Sequence, residues 1–149
     1  MPASLYFAYG SNLSLQQFAR RCPGAKPAGR ARLVEYRLAF TRYSTKRKGG
    51  VADIVPEPGA TVWGALYEVD ESHLMALDEF EGVPRAYLRQ PVRVLDDGDA
   101  EREALAYFAN RTGEFAPSRA YLDIILRGAR DHGLPEDYTA ALEGLRTYA

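Results

Sequence analysis

A chain of 149 residues with one cysteine and two histidines has few side chains suited to covalent or metal chemistry. Cys22, His73 and His132 lie far apart, so neither a histidine-activated nucleophile nor a clustered transition-metal site is expected. Both histidines read as surface residues. The chemistry must then come from carboxylates and from the backbone. Glu81 stands out first. It closes a helical segment whose buried face is marked by Leu74 and Leu77, and it lies seven residues beyond Leu74, about two turns. Its side chain should point the same way as those leucines. Asp78 lies near the stripe and Glu79 points away. Desolvation and the negative end of the helix dipole both disfavour an ionised carboxylate there. Each pushes its pKa up, toward the range of a base working near neutral pH. The competing reading is a rim glutamate that turns to solvent or pairs with Arg85 or Arg89.

The second candidate is the turn Tyr9-Gly10-Ser11-Asn12-Leu13. It joins an aromatic strand to a helix, and a helix start exposes backbone N–H groups that have no intrahelical partner. Such a place, with the dipole added, suits a carboxylate or an oxyanion. Gly10 would let a ligand approach the backbone, and Ser11 and Asn12 offer side-chain donors. The segment lacks the spaced glycines and lysine of a phosphate loop. The competing reading is a capped turn with no ligand.

The elements that must position these groups follow from periodicity and punctuation. Leu5 to Tyr9 reads as a strand. Ser14 caps a helix running to about Arg21, with Gln17 closing a capping box, and Pro23-Gly24 ends it. Arg30 to Tyr43 is extended, Thr45 to Gly50 a loop, and Val51 to Val55 a strand closed by Pro56 and Pro58. Thr61 to Val69 is the next strand, with Val62, Gly64, Leu66 and Glu68 on one face. Gly64 would allow a bend or a close backbone approach. Asp70 caps the helix that ends at Glu81, with Gly82 as terminator. Tyr87 to Leu95 and Arg102 to Ala109 form a hairpin around Asp96-Asp97-Gly98-Asp99. Pro117 and Ser118 open a long helix with an inner stripe of Tyr121, Ile124, Ile125, Gly128 and Ala129. A last helix runs from Pro135 to near Tyr148. The strand connections are too short for repeated crossovers. An α+β fold follows: one domain over residues 1–149, with a mixed, strongly curved sheet or small barrel flanked by helices.

Composition narrows the partners. With 46% hydrophobic and 26% charged residues the chain is an ordinary globular one. A net charge of −1 sets up no general field toward nucleic acid or an anionic membrane. Lys46-Arg47-Lys48 reads as a solvated loop. No signal-peptide pattern or apolar run of ~20 residues is present. A lone cysteine rules out an intrachain disulfide and fits a reducing compartment, so a cytoplasmic location is expected.

The two candidates occur together in a known family. Tyr9-Gly10-Ser11-Asn12-Leu13 after an aromatic strand resembles the N-terminal signature of the γ-glutamylcyclotransferases, the AIG2-like group. Gly49-Gly50-Val51-Ala52 and Val62-Trp63-Gly64-Ala65-Leu66-Tyr67 resemble its middle section. Leu77-Asp78-Glu79-Phe80-Glu81-Gly82, with Tyr87 and Arg89, resembles the segment carrying its catalytic glutamate. Pro117-Ser118, Tyr121 and Gly133-Leu134-Pro135 resemble its C-terminal helices. The resemblance implies a small curved mixed β-barrel with flanking helices. It also implies an enzyme that converts a γ-glutamyl amide to 5-oxoproline and a free amine. Glu81 would be the acid/base, Tyr9, Gly10, Ser11, Asn12 and Leu13 the substrate-binding loop, and Tyr87, Tyr107 and Tyr121 pocket residues. The reaction is intramolecular, so no cofactor or metal is called for. A non-catalytic small-molecule binding module on the same fold is the alternative. The catalytic reading requires Glu81 and the first turn to open onto one hollow.

Overall fold

The frame of the molecule is one long hairpin. In the computed structural model, which describes residues 4–148, β2 (Lys26–Ser44) and β3 (Gly49–Val69) pair antiparallel from Lys26 opposite Glu68 to Ser44 opposite Gly49. Register shifts between Pro27 and Arg30, Val34 and Tyr36, and Phe40 and Arg42 bend the ribbon, and such bends let a short sheet close on itself. β1 (Ser4–Ala8) pairs antiparallel with β3, β4 (Tyr87–Asp96) with β2, and β5 (Glu101–Ala109) with β4. A parallel contact of Tyr6 with Leu105 closes the barrel in the order β1-β3-β2-β4-β5.

The helices pack on this barrel. A 3-10 turn (Ser11–Leu13) precedes α1 (Leu15–Arg21); α2 (Glu71–Phe80), α3 (Arg119–Asp131) and α4 (Glu136–Glu143) follow in chain order. Phe18 of α1 stacks on Tyr67 of β3 with ring centres 3.8 Å apart. Both faces of β3 near Tyr67 are therefore buried, and only Glu68 of its final stretch is exposed. A Cβ at Gly64 would collide with the Ala8 carbonyl and the Phe7 ring, so the close backbone approach expected of it is present. Trp63 lies under the guanidinium groups of Arg30 and Arg32, at 5.4 and 5.8 Å.

Several expectations need correction. The strands expected at Val51 to Val55 and Thr61 to Val69 are one strand. Pro56 does not end it because it sits at the bulge opposite Tyr36, where a missing donor is harmless. β2 starts at Lys26, earlier than expected. The buried face of α3 comprises Tyr121, Leu122, Ile125, Leu126, Gly128 and Ala129, with Ile124 only partly covered. Two neighbours, the 3-10 turn and α4, widen that face. α4 ends at Glu143 with Gly144 as its cap, short of Tyr148.

The histidines are not free surface groups. His73 completes a capping box with Asp70 and lies 2.7 Å from the Pro23 carbonyl. His132 Nε2 lies 2.8 Å from the Tyr67 hydroxyl and 3.0 Å from the Leu13 carbonyl oxygen. Among the described residues no helix is long and apolar enough to cross a membrane.

Candidate active site

α2 carries Glu81 to its place by a well-defined stop. Leu74 and Leu77 bury the inner face of the helix. Gly82 follows at φ +67, a left-handed conformation that favours glycine. Its N–H bonds the Glu79 carbonyl and that of Val83 bonds the Asp78 carbonyl, the pairing of a Schellman motif. The Glu81 side chain is thereby fixed at the wall of a cavity of about 370 Å³, a volume within the range of small-molecule sites. Arg89, one of the partners open to Glu81 in the sequence, is held by Asp78 at 2.9 and 3.0 Å. Asp78 also accepts from the Tyr107 hydroxyl at 2.7 Å. Glu81 instead accepts from Asn12 Nδ2 at 3.3 Å. Burial pushes its pKa up to about 7, and the positive charges of Arg21 and then Arg47 hold it from rising further.

The first turn meets the same cavity. Gly10, Ser11 and Asn12 line it opposite Ala52 and Tyr121. Their backbone N–H groups donate to no protein group among the described residues. The geometry differs from the expected one in three ways. A 3-10 turn, not the start of α1, carries the exposed amides: α1 begins as expected at Ser14, which caps Gln17 N at 3.2 Å, so the α1 dipole is aimed at Ser14 and not at Gly10 to Asn12. Gln17 closes no capping box: its Nε2 donates to Ser11 Oγ at 2.8 Å and Asn12 Oδ1 at 3.0 Å. Leu13 does not line the cavity; it is fully buried, its backbone pressed on α3 where Gly128 leaves no room for a side chain.

Tyr9, Tyr87, Tyr107 and Tyr121 all line the cavity. The Tyr9 hydroxyl donates to the Tyr107 carbonyl and that of Tyr87 to the Ala52 carbonyl. Tyr121 differs from the others: its oxygen accepts from Ala52 N–H at 3.0 Å, leaving its proton free to donate. Burial raises the pKa of each phenol, that of Tyr121 to about 12, so these are neutral groups at physiological pH.

Sequence reasoning missed the cations. Arg21, Arg42, Lys46 and Arg47 line the cavity, where Glu81 is the single carboxylate. None of the four forms an ion pair among the described residues. Arg47 is not the solvated loop residue expected. The tip of the β2–β3 hairpin brings its guanidinium 5.2 Å from the Tyr121 ring centre and 3.1 Å from Gln17 Oε1. Arg21 lies over Phe80 at 4.6 Å. The i, i+4 spacing of Gln17 and Arg21 on α1 is the one sequence signal that could have placed them on one face.

The arrangement can bind an anionic, amide-containing molecule and move a proton at Glu81. The AIG2-like family model matches residues 61–142. The γ-glutamylcyclotransferase of Mus musculus is 34% identical over 146 residues, 95% of this chain and 78% of that protein. Its Homo sapiens counterpart is 36% identical over the same shares. A solved structure named γ-glutamyl cyclotransferase superposes with a TM-score of 0.94 at 34% identity, covering 98% of this chain and 89% of the other.

Proposed function

Because this chain belongs to the AIG2-like family, with γ-glutamylcyclotransferases as relatives along most of its length, we propose that it converts a γ-glutamyl amide to 5-oxoproline and a free amine. The observation that carries the reading is the pairing of Glu81, its pKa raised to about 7, with the unpartnered amides of Gly10 to Asn12 in one cavity.

The substrate's α-amine is the nucleophile and must first lose a proton. Its pKa is ~8, so it is mostly ammonium at neutral pH. Passing that proton to a group at about 7 is uphill by about 1.4 kcal/mol, whereas an ordinary glutamate near ~4.3 would make the step about 5 kcal/mol uphill. Burial of Glu81 therefore supplies most of the match. The freed amine attacks the γ-carbonyl carbon, and the carbonyl π pair moves to oxygen. The N–H groups of the first turn and the Tyr121 hydroxyl are among the donors available to the substrate carboxylate and to this oxyanion, beside the cationic side chains of the lining. One such donor contributes about 3–4 kcal/mol. As the oxyanion collapses, the C–N bond to the leaving amine breaks, Glu81 gives its proton to that nitrogen and then takes the second proton from the ring nitrogen, leaving a neutral lactam N–H; the freed amine carries that last proton away as ammonium. A base of this kind contributes about 10²–10⁴ in rate.

The excess of positive charge around Glu81 favours a leaving amine that itself carries a carboxylate, as an amino acid does, over a cationic amine. A reducing cytoplasmic setting suits the lone buried thiol of Cys22. The test is release of 5-oxoproline from a panel of γ-glutamyl amides matched in size but differing in the charge of the leaving amine. Wild type should turn over the carboxylate-bearing members fastest, and Glu81→Gln should turn over none at a comparable rate. No turnover of any amide by wild type would favour the binding-module reading.

A further inference from the structure

We infer that Asn12, braced by Gln17 and Arg21 of α1, is a positioning residue for Glu81 and does not use its side chain to hold substrate. The inference rests on the proton-carrier role proposed above for Glu81. An asparagine side chain offers two N–H donors and one oxygen with two lone pairs. All of this capacity is taken inside the protein. Nδ2 donates to the Tyr6 hydroxyl at 3.0 Å and to Glu81 Oε1 at 3.3 Å. Oδ1 accepts from Gln17 Nε2 at 3.0 Å and from Arg21 Nη1 at 3.0 Å. The orientation of the amide is fixed chemically: a guanidinium only donates and an ionised carboxylate only accepts. Asn12 is 3% exposed, so substrate could engage its side chain only by breaking one of these bonds.

The brace extends outward. Gln17 is absent from the cavity lining, yet its Nε2 also bonds Ser11 Oγ at 2.8 Å and its Oε1 accepts from Arg47 at 3.1 Å. One helix face thus ties the turn, the base and the hairpin tip together. Glu81 Oε1 is held by Asn12, and Oε2 accepts from no protein group among the described residues; Oε2 is the oxygen left for the substrate's proton. Around Glu81 the titratable groups are Arg21 from α1, Arg47 from the hairpin tip, Tyr6 and Tyr9 from β1 and its end, Tyr87 from β4, Tyr107 from β5 and Tyr121 from α3. The phenols stay neutral, so the two guanidinium groups supply the charge that acts on the carboxylate.

The test combines kinetics with a readout independent of turnover, the ¹³C NMR titration of the Glu81 carboxyl carbon, assigned by its loss in Glu81→Gln. In Gln17→Met, kcat should fall roughly tenfold with KM within about twofold of wild type, since the base loses its brace and the lining keeps every residue. Asn12→Asp and Arg21→Met should each move the Glu81 midpoint up by about one pH unit, one adding a like charge and the other removing an opposite one. The acid limb of kcat/KM should move up with it. The inference is overturned if Gln17→Met behaves as wild type, or if Asn12→Asp raises KM alone with the midpoint unmoved. If the midpoints shift while wild type releases no 5-oxoproline from any amide, the positioning role stands and the proposed reaction does not.

Discussion

Two carboxylates withdrawn from solvent, one fully buried and one half-buried, are treated in opposite ways in this protein. Asp53, on β3 beside the cavity, is fully buried and fully satisfied. Its Oδ1 accepts from the N–H groups of Ile54 and Ala109 at 2.8 and 3.0 Å. Its Oδ2 accepts from the Thr41 hydroxyl and Arg111 Nε, both at 2.8 Å. Among the described residues Glu81 receives one hydrogen bond, at 3.3 Å, and no ion pair. Asp53 ties β2, β3 and the end of β5 together and has no lone pair to spare. Glu81 keeps an oxygen free and its charge half-compensated. Here a saturated carboxylate serves as structure, and an under-satisfied one is available for chemistry.

Swapping the losses is the strongest way to break that contrast. Glu81→Gln should lower kcat by about 10²–10⁴, while Asp53→Asn, assayed where it is folded, should keep kcat within about tenfold of wild type. Equal losses in both would erase the distinction. In denaturant unfolding the ranking should invert: Asp53→Ala leaves a guanidinium, a hydroxyl and two backbone N–H groups unmatched and should lose about 3–5 kcal/mol.

A smaller effect sharpens the comparison through pH. The folded protein binds the Glu81 proton more tightly than the unfolded chain does, its pKa standing at about 7 against a usual 4.5. Stability from this group is thus fully present below about pH 4.5 and declines as pH rises through 7. Glu81→Gln removes the decline. It should be more stable than wild type by about 3 kcal/mol at pH 8 and by less than about 1 kcal/mol at pH 5. A constant difference across that range would mean the carboxylate is not held in a desolvated site. Smallest is Tyr121→Phe, which deletes a cavity phenol whose proton is free to donate and should lower kcat roughly tenfold, with the fold intact by circular dichroism.

The placement of Glu81 was legible because it depends on one helix: the stripe of Leu74 and Leu77 and the stop at Gly82 are local. The first turn was legible as a junction and Ser14 as the cap of α1, but not the 3-10 turn that separates the exposed amides from the α1 dipole, since three residues carry no periodicity. A strongly curved mixed sheet was readable from short connections; its closure into a barrel was implied by the family resemblance alone. The continuity of β3 was not, because Pro56 reads as a terminator unless the bulge opposite Tyr36 is known. The site roles of Arg21, Gln17 and above all Arg47 escaped notice for a different reason. Arg47 reaches the site only through the curvature of the whole hairpin, which no stretch of sequence contains, and the shared α1 face of Gln17 and Arg21 does not itself say what it meets. Asn12 shows the limit of reading by type: an asparagine in a binding loop looks like a ligand until its partners are counted.

The single tryptophan has a practical consequence. Trp63 sits between two arginines on the barrel wall and takes no part in lining the cavity. Its fluorescence should therefore follow the integrity of the β2–β3 ribbon and stay indifferent to occupancy of the hollow. Melting curves read at this indole would separate variants that damage the scaffold from variants that damage only the reaction, with no added dye or label.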